Sequence, residues 1–180
     1  MAKIILITGG ARSGKSDYAQ LRAEGIAGEH FFLASCPVID EEMADRITRH
    51  KQDRRNGLWQ TIEEEHDLAG VVEKLPNDSV CLLDCLTLWI NNLMYQAEVS
   101  HEEFSEDVVR EYTLQLLSAA KSYAGTLLMV SNEVGLGVVP DNPAARKYRD
   151  CVGRCNRLIA ADADEVIMVS CGLPLFLKGA

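Results

Sequence analysis

Nowhere does the chain carry an apolar run approaching the ~18 residues that a membrane-spanning helix requires, so insertion by such a helix is excluded. The early run Ile4-Ile5-Leu6-Ile7 is also shorter than the apolar stretch of a secretory leader. A cytoplasmic protein is therefore expected. An excess of positive charge is missing too: 18 Lys and Arg face 27 Asp and Glu, a net charge of −9. That balance excludes nucleic-acid binding through bulk basic charge. No Cys-x-x-Cys pair occurs among the six cysteines, Cys36, Cys81, Cys85, Cys151, Cys155 and Cys171. The tight ligand spacing of structural zinc sites is thus absent, and reduced, buried thiols are expected, as in the cytosol. Internal repeats, low-complexity tracts and Pro/Gly/Ser linkers are lacking as well, which predicts one domain over residues 1–180.

What is present is a globular composition, 47% hydrophobic and 25% charged. Apolar runs rich in Val, Ile, Leu and Phe predict strands at residues 3–8, 30–35, 79–84, 126–131 and 165–170. They show little polar alternation, as suits strands buried on both faces of a parallel sheet. Between them, helical patterns cover residues 15–27, 40–54, 68–74, 102–124 and 143–161. The last opens on Asp141-Asn142-Pro143, a capping residue followed by proline at the first helical position. This alternation predicts an α/β fold, a doubly wound, mostly parallel sheet with helices on both faces. Ligands in such folds bind at the carboxyl ends of the strands. Here those ends carry Gly9-Gly10, Ser35-Cys36, Asp84, Asn132-Glu133 and Cys171-Gly172.

Residues 9–16 read Gly9-Gly10-Ala11-Arg12-Ser13-Gly14-Lys15-Ser16, a full match to the phosphate-loop pattern G-x-x-x-x-G-K-[ST]. Its glycines let backbone amides turn inward around phosphate oxygens. The following helix adds its dipole and its free N-terminal amides. Lys15 supplies a point charge for the β- and γ-phosphates, and Ser16 a hydroxyl for Mg²⁺. A strand before and a helix after give the motif its required setting, so a P-loop NTPase-type domain is predicted. Enzymes of this kind add a strand-end acid to the Mg²⁺ shell. Asp84 has that position, and Glu133 is a second candidate.

A second feature is basic. In residues 40–55, DEEMADRITRHKQDRR, Met43, Ile47, His50 and Arg54 fall on one helical face. Around His50 stand Arg46, Arg49, Lys51, Arg54 and Arg55. Such density in an acidic chain suits phosphate handling. Nearby cations would also depress the imidazole pKa and keep it neutral, ready to act as a base or as a nucleophile toward phosphorus. A partly buried histidine in a solvated basic stretch is the alternative, and residue chemistry alone leaves both open.

Taken together, these stretches resemble the bifunctional adenosylcobinamide kinase/adenosylcobinamide-phosphate guanylyltransferases of cobalamin biosynthesis. The resemblance runs through GGARSGKS at Gly9–Ser16, EMADRITRH ending at His50, and Trp59-Gln60-Thr61-Ile62-Glu63. It continues through LLDCLTLWINNL from Leu82, SNEVGLGVVP from Ser131, ARKYRDCVGRCNRLIAADADEV from Ala145, and GLPLFLK near the C-terminus. It implies two reactions. ATP or GTP phosphorylates the hydroxyl of the aminopropanol arm of adenosylcobinamide. GTP then guanylylates that phosphate through a GMP–histidine, giving adenosylcobinamide-GDP and pyrophosphate. His50 matches the nucleophile. The P-loop, Ala34-Ser35-Cys36, Lys51, Gln52, Asp53, Arg54, Glu63 and Asp84 match nucleotide contacts, with Ser16 and Asp84 near Mg²⁺. Glu63 carries a carboxylate able to accept both hydrogen bonds of the guanine N–H and NH₂ edge. A homo-oligomer, a trimer by resemblance, is implied as well.

Two stretches depart from the family pattern: Glu64-Glu65-His66 where proline is frequent, and Cys171 where a smaller residue is usual. Neither touches the motifs. Two rival readings stand beside the bifunctional enzyme. A small-molecule P-loop kinase without nucleotidyl transfer would leave His50 structural, and a nucleotide-switched binding protein would leave it unused.

Overall fold

The computed structural model describes residues 2–36 and 58–179. Seven strands form one sheet in the order β3-β2-β4-β5-β1-β6-β7. They are β1 Lys3–Gly9, β2 His30–Ala34, β3 Trp59–Glu63, β4 Val80–Asp84, β5 Thr126–Val130, β6 Glu165–Ser170 and β7 Leu173–Lys178. Pairing is parallel from β3 through β6, and only β7 runs antiparallel, against β6. Among the described residues the α-helices are α1 Lys15–Glu24, α2 Leu68–Val72, α3 Leu86–Val99, α4 Glu106–Ser122 and α5 Pro143–Asp162.

The central strands are apolar on both faces because both faces are covered. Alternate residues of β1 divide between two cores: Ile4 and Leu6 on one side, Ile5 and Ile7 on the other. The first core packs against α2 to α5 through Leu68, Trp89, Leu116, Leu117, Val152 and Ile159. The second closes under α1 through Ala19 and Ala23, small side chains that let this helix lie close to the sheet. Helices on both faces and a mostly parallel sheet agree with the predicted fold class.

Boundaries follow local chemistry. Asn142 caps α5 by accepting hydrogen bonds from the Ala144 and Ala145 amides at 2.8 and 3.2 Å, with Pro143 next, as its sequence predicts. Ser105 caps α4, so this helix opens four residues later than the predicted 102. The predicted helix 40–54, which includes His50, Lys51, Gln52, Asp53 and Arg54, lies outside the described residues.

Three elements exceed the prediction. Strand β3 and strand β7 are edge strands, half or fully exposed; β3 lacks the apolar signature of a buried strand, and the apolar run of β7 is interrupted by Pro174. Pro174 is tolerated in β7 because an edge strand need not donate along its whole length. Helix α3 hides behind an apolar run that continues from β4. Its buried Leu86, Trp89, Ile90, Leu93 and Ala97 have helical spacing, and a break at Cys85 separates the two elements. No described helix is long and apolar enough to cross a membrane.

Candidate active site

The predicted site residues at the strand ends fall almost on one line. Glu63, Ala34, Asp84, Val130 and Ile7 are register partners across β3, β2, β4, β5 and β1. The phosphate loop rises two residues beyond Ile7. Parallel strands in register bring the ends of the chain's separate apolar runs to one edge, as the fold class requires.

The loop is held by its surroundings as much as by its own turns. Gly9 approaches the β6 backbone so closely that a Cβ there would collide with the carbonyl oxygen of Val169, and its φ is +156°. The Glu133 amide donates to the Gly9 carbonyl at 3.0 Å, and the Ser131 amide to that of Ile7 at 2.9 Å. The end of β5 is thereby fastened to the start of the loop. Gly14 stands at the N-cap of α1 with φ +86°, without a side-chain cap, so the helix presents its first amides to the loop. Lys15 folds back over the loop, its Nζ donating to the Gly10 carbonyl at 3.2 Å. Ser16 follows in the first turn of α1, half-buried. Arg12 is exposed and holds a positive φ of 55°. Three buried side-chain oxygens around the loop, Thr8 Oγ1, Ser13 Oγ and Asn132 Oδ1, have no hydrogen-bond partner among the described residues. Unsatisfied buried oxygens are costly, and their gathering here suits a polar ligand or its water.

Asp84 ends β4 two strands from β1, about 10 Å away at the usual strand spacing. Its peptide bond to Cys85 is cis. The fully buried Ser35 hydroxyl bridges this turn: it donates to the Cys85 carbonyl at 2.7 Å and accepts from the Cys85 amide at 2.9 Å. Ser35 therefore reaches the predicted edge, but its hydroxyl shapes the turn beside Asp84. The Cys85 thiol is pushed up to about 11 by burial, raised further by the Asp84 charge and eased back by hydrogen bonding and by Lys15. Asp84 and Ser16 offer a carboxylate and a hydroxyl, oxygen donors of the kind Mg²⁺ prefers. Among the described residues no three His, Cys, Asp or Glu gather as a metal cage. A nucleotide-borne Mg²⁺ needs none, because phosphates and waters fill most of its shell.

Glu63 ends the edge strand β3, exposed, with Ala34 as its register partner. Four strand steps separate it from β1, roughly 19 Å. The P-loop and Glu63 are thus on one edge but at opposite parts of it, with Ala34 and Asp84 between. Cys36 lies half-buried just beyond β2.

Several polar residues at this edge escape a reading of the sequence. Buried Asn156 on α5 donates to the Asn132 carbonyl at 3.0 Å and accepts from Ser131 Oγ, ordering the β5 end. Thr87 Oγ1 touches Cys85 Sγ at 3.0 Å, and its carbonyl accepts from Tyr148 at 3.1 Å. Burial pushes that tyrosine up to about 12. Asn92 donates to the Ser35 and Glu65 carbonyls at 2.8 and 3.2 Å. Asn92 leaves one trace in the sequence: it is an amide three residues after Trp89, on the apolar face of α3.

A parallel sheet whose first strand runs through a complete phosphate loop into α1 defines a P-loop nucleotide-binding protein. Comparison with known proteins narrows the class. The family model described as cobinamide kinase / cobinamide phosphate guanyltransferase matches residues 5–177, and the chain belongs to this family. It is 37% identical to the bifunctional adenosylcobalamin biosynthesis protein CobU of Salmonella typhimurium, over 97% of this chain and 99% of that protein. The Escherichia coli protein of the same name is 35% identical, with 97% and 99% covered. The bifunctional adenosylcobalamin biosynthesis protein CobP of Pseudomonas aeruginosa is 38% identical, with 97% and 96% covered. Among solved structures, a prototypical ATPase from the type III secretion system of pathogenic bacteria superposes with a TM-score of 0.57 at 15% identity. That match covers 92% of this chain and 50% of the other, and it shows the fold alone.

Proposed function

We propose that this enzyme carries out both family reactions in the cytoplasm, the second through a covalent GMP on His50. The match over nearly the whole chain, with the P-loop intact at the carboxyl end of β1, carries the reading. In the first reaction the acceptor hydroxyl oxygen attacks the γ-phosphorus of ATP or GTP, the bond to the β-phosphate oxygen breaks, and the proton leaves to a carboxylate or water. The loop amides and Lys15 hold the triphosphate and take up charge on the transferring group. Ser16 and Asp84 hold Mg²⁺, which when bound neutralises charge on the phosphate oxygens. Glu133, fastened beside Gly9, is the second carboxylate at the edge.

In the second reaction an imidazole nitrogen of His50 attacks the α-phosphorus of GTP and pyrophosphate departs. The phosphate oxygen of the acceptor then displaces His50 from the GMP phosphorus. A nucleophile of this kind divides one difficult displacement into two easier ones. Lys51 and Arg54, with Gln52 and Asp53 beside them, contact the phosphates, and Glu63 reads the guanine edge. Ala34 and Cys36 line the nucleotide near the end of β2. The assembly is a homo-oligomer, a trimer by family resemblance.

The test is a product analysis with adenosylcobinamide, GTP and Mg²⁺. The expected sequence is corrinoid phosphate, then the GDP-corrinoid. Lys15→Ala should suppress the first product yet still convert supplied corrinoid phosphate, whereas His50→Ala should stop at the phosphate. A wild-type enzyme that accumulates only the phosphate would be a plain kinase.

A further inference from the structure

Helix α3 carries two large apolar side chains on its exposed side, beside Asn91, Gln96 and Glu98. Its inward face holds Trp89, Ile90, Leu93 and Ala97. On the outward side Tyr95 and Val99, one helical turn apart, are 66% and 61% exposed. They line a groove of about 550 Å³ with Glu65, His66, Asn91 and Gln96. The groove is anchored to the active edge. Asn92, in its wall, donates to the carbonyls of Ser35 and Glu65, the residues just beyond β2 and β3. Helix α3 itself starts two residues after Asp84. Counted from Leu86 at 1.5 Å per residue, Asn91 lies about 8 Å and Tyr95 about 14 Å along the axis.

We propose that this groove seats the corrin ring of the acceptor, an inference that rests on the cobinamide reading above. A cobinamide is a flat macrocycle, apolar over its faces, rimmed by primary amides and bearing a cobalt-centred positive charge. The groove offers each complement. Tyr95 and Val99 supply an apolar platform, Asn91 and Gln96 pair with rim amides, and Glu65 accepts from amide N–H groups. The Glu65 carboxylate in its lining, in a chain of net charge −9, favours a cation. A volume of about 550 Å³ holds one edge of the ring and leaves the rest exposed. The longest arm of the ring carries the reacting hydroxyl. With the ring at this distance, that arm can extend along α3 toward Asp84 and the loop.

The test measures equilibrium binding of adenosylcobinamide by its visible absorbance in dialysis, and GTP binding in parallel, for wild type, Tyr95→Ala, Tyr95→Phe and Asn91→Ala. Tyr95 and Asn91 are exposed, so the variants should fold, and thermal unfolding checks that they do. Tyr95→Ala should weaken corrinoid binding about tenfold, as loss of an aromatic anchor does. Asn91→Ala should weaken it less, Tyr95→Phe should keep most of it, and GTP binding should not move. Wild-type corrinoid affinity in the alanine variants would overturn the groove while leaving the enzyme's function intact. Changed sedimentation with unchanged corrinoid binding would overturn it too, and assign the face to a second copy of the chain. A wild type that binds no corrinoid would remove the functional reading and the groove with it.

Discussion

The amide of Gly172 donates a 2.8 Å hydrogen bond to the carbonyl oxygen of Ser13. The hairpin between β6 and β7 is thereby joined to the middle of the phosphate loop. The contact is close, because a Cβ on Gly14 would stand 3.3 Å from Gly172 Cα. Gly172 has φ +78° and open space around its missing side chain, so an added methyl meets backbone strain and no clash. Gly172→Ala should cost about 1–2 kcal/mol of stability, the usual penalty for a left-handed L-residue. It should also weaken triphosphate binding, because the loop loses its outside support. Thermal unfolding and nucleotide titration of the same variant check both effects.

Asp84 and Glu133 have different attachments, and their variants should differ accordingly. Asp84→Asn should lower the kinase rate at least about a hundredfold and raise the Mg²⁺ needed for half-maximal activity. Glu133→Gln should slow turnover without moving the Mg²⁺ requirement. A Mg²⁺ titration of each variant decides the assignment, and the reverse pattern would exchange the two roles.

How much of this edge can be read from the chain depends on how local each signal is. Gly9 to Ser16 is legible because the motif, the preceding strand and the following helix are contiguous. Asp84 is legible because a buried parallel strand reads as an apolar run that stops at a charge. The Gly172–Ser13 contact spans most of the sequence, and nothing local marks a hairpin that turns back onto the loop. Strand β7 is hard to read for another reason: Leu173, Leu175, Phe176 and Leu177 are apolar, but Pro174 within the run argues against a strand. Ser35 was legible as a strand-end hydroxyl, but not that the turn at Cys85 would occupy it.

At the opposite end of the sheet Glu165 bridges Lys3 at 2.6 Å and Arg22 at 2.5 Å. Burial works to raise its pKa, but the Lys3 hydrogen bond and the Arg22 charge prevail and hold it below the ordinary value. Its stabilisation is therefore full above the unfolded glutamate pKa and is lost as pH falls through the lower folded value. Glu165→Gln should cost about 1.5 kcal/mol at pH 7, the scale of a charged hydrogen bond. That difference should shrink to nothing below the folded pKa. Urea unfolding of both proteins across an acid series checks the sign, and a gap that widened in acid would contradict it.

The cysteines should separate by burial. Burial pushes Cys81 and Cys155 up to about 12, and Cys85 and Cys151 up to about 11, so these remain protonated at neutral pH. The thiolate is the reactive form. Iodoacetamide should therefore modify exposed Cys171 first and half-buried Cys36 next. The other four should react only on denaturation. Peptide mass mapping over time reads the order.

The central claim is the covalent step at His50, and the most direct measurement is trapping it. Wild type and His50→Ala are incubated with Mg²⁺ and GTP radiolabelled at the α-phosphate, then resolved on a denaturing gel. Acid-labile, base-stable label on wild type and none on the variant is the predicted result, the signature of a phosphoramidate. Wild type that binds nucleotide but takes no label, or a variant labelled equally, would contradict the account.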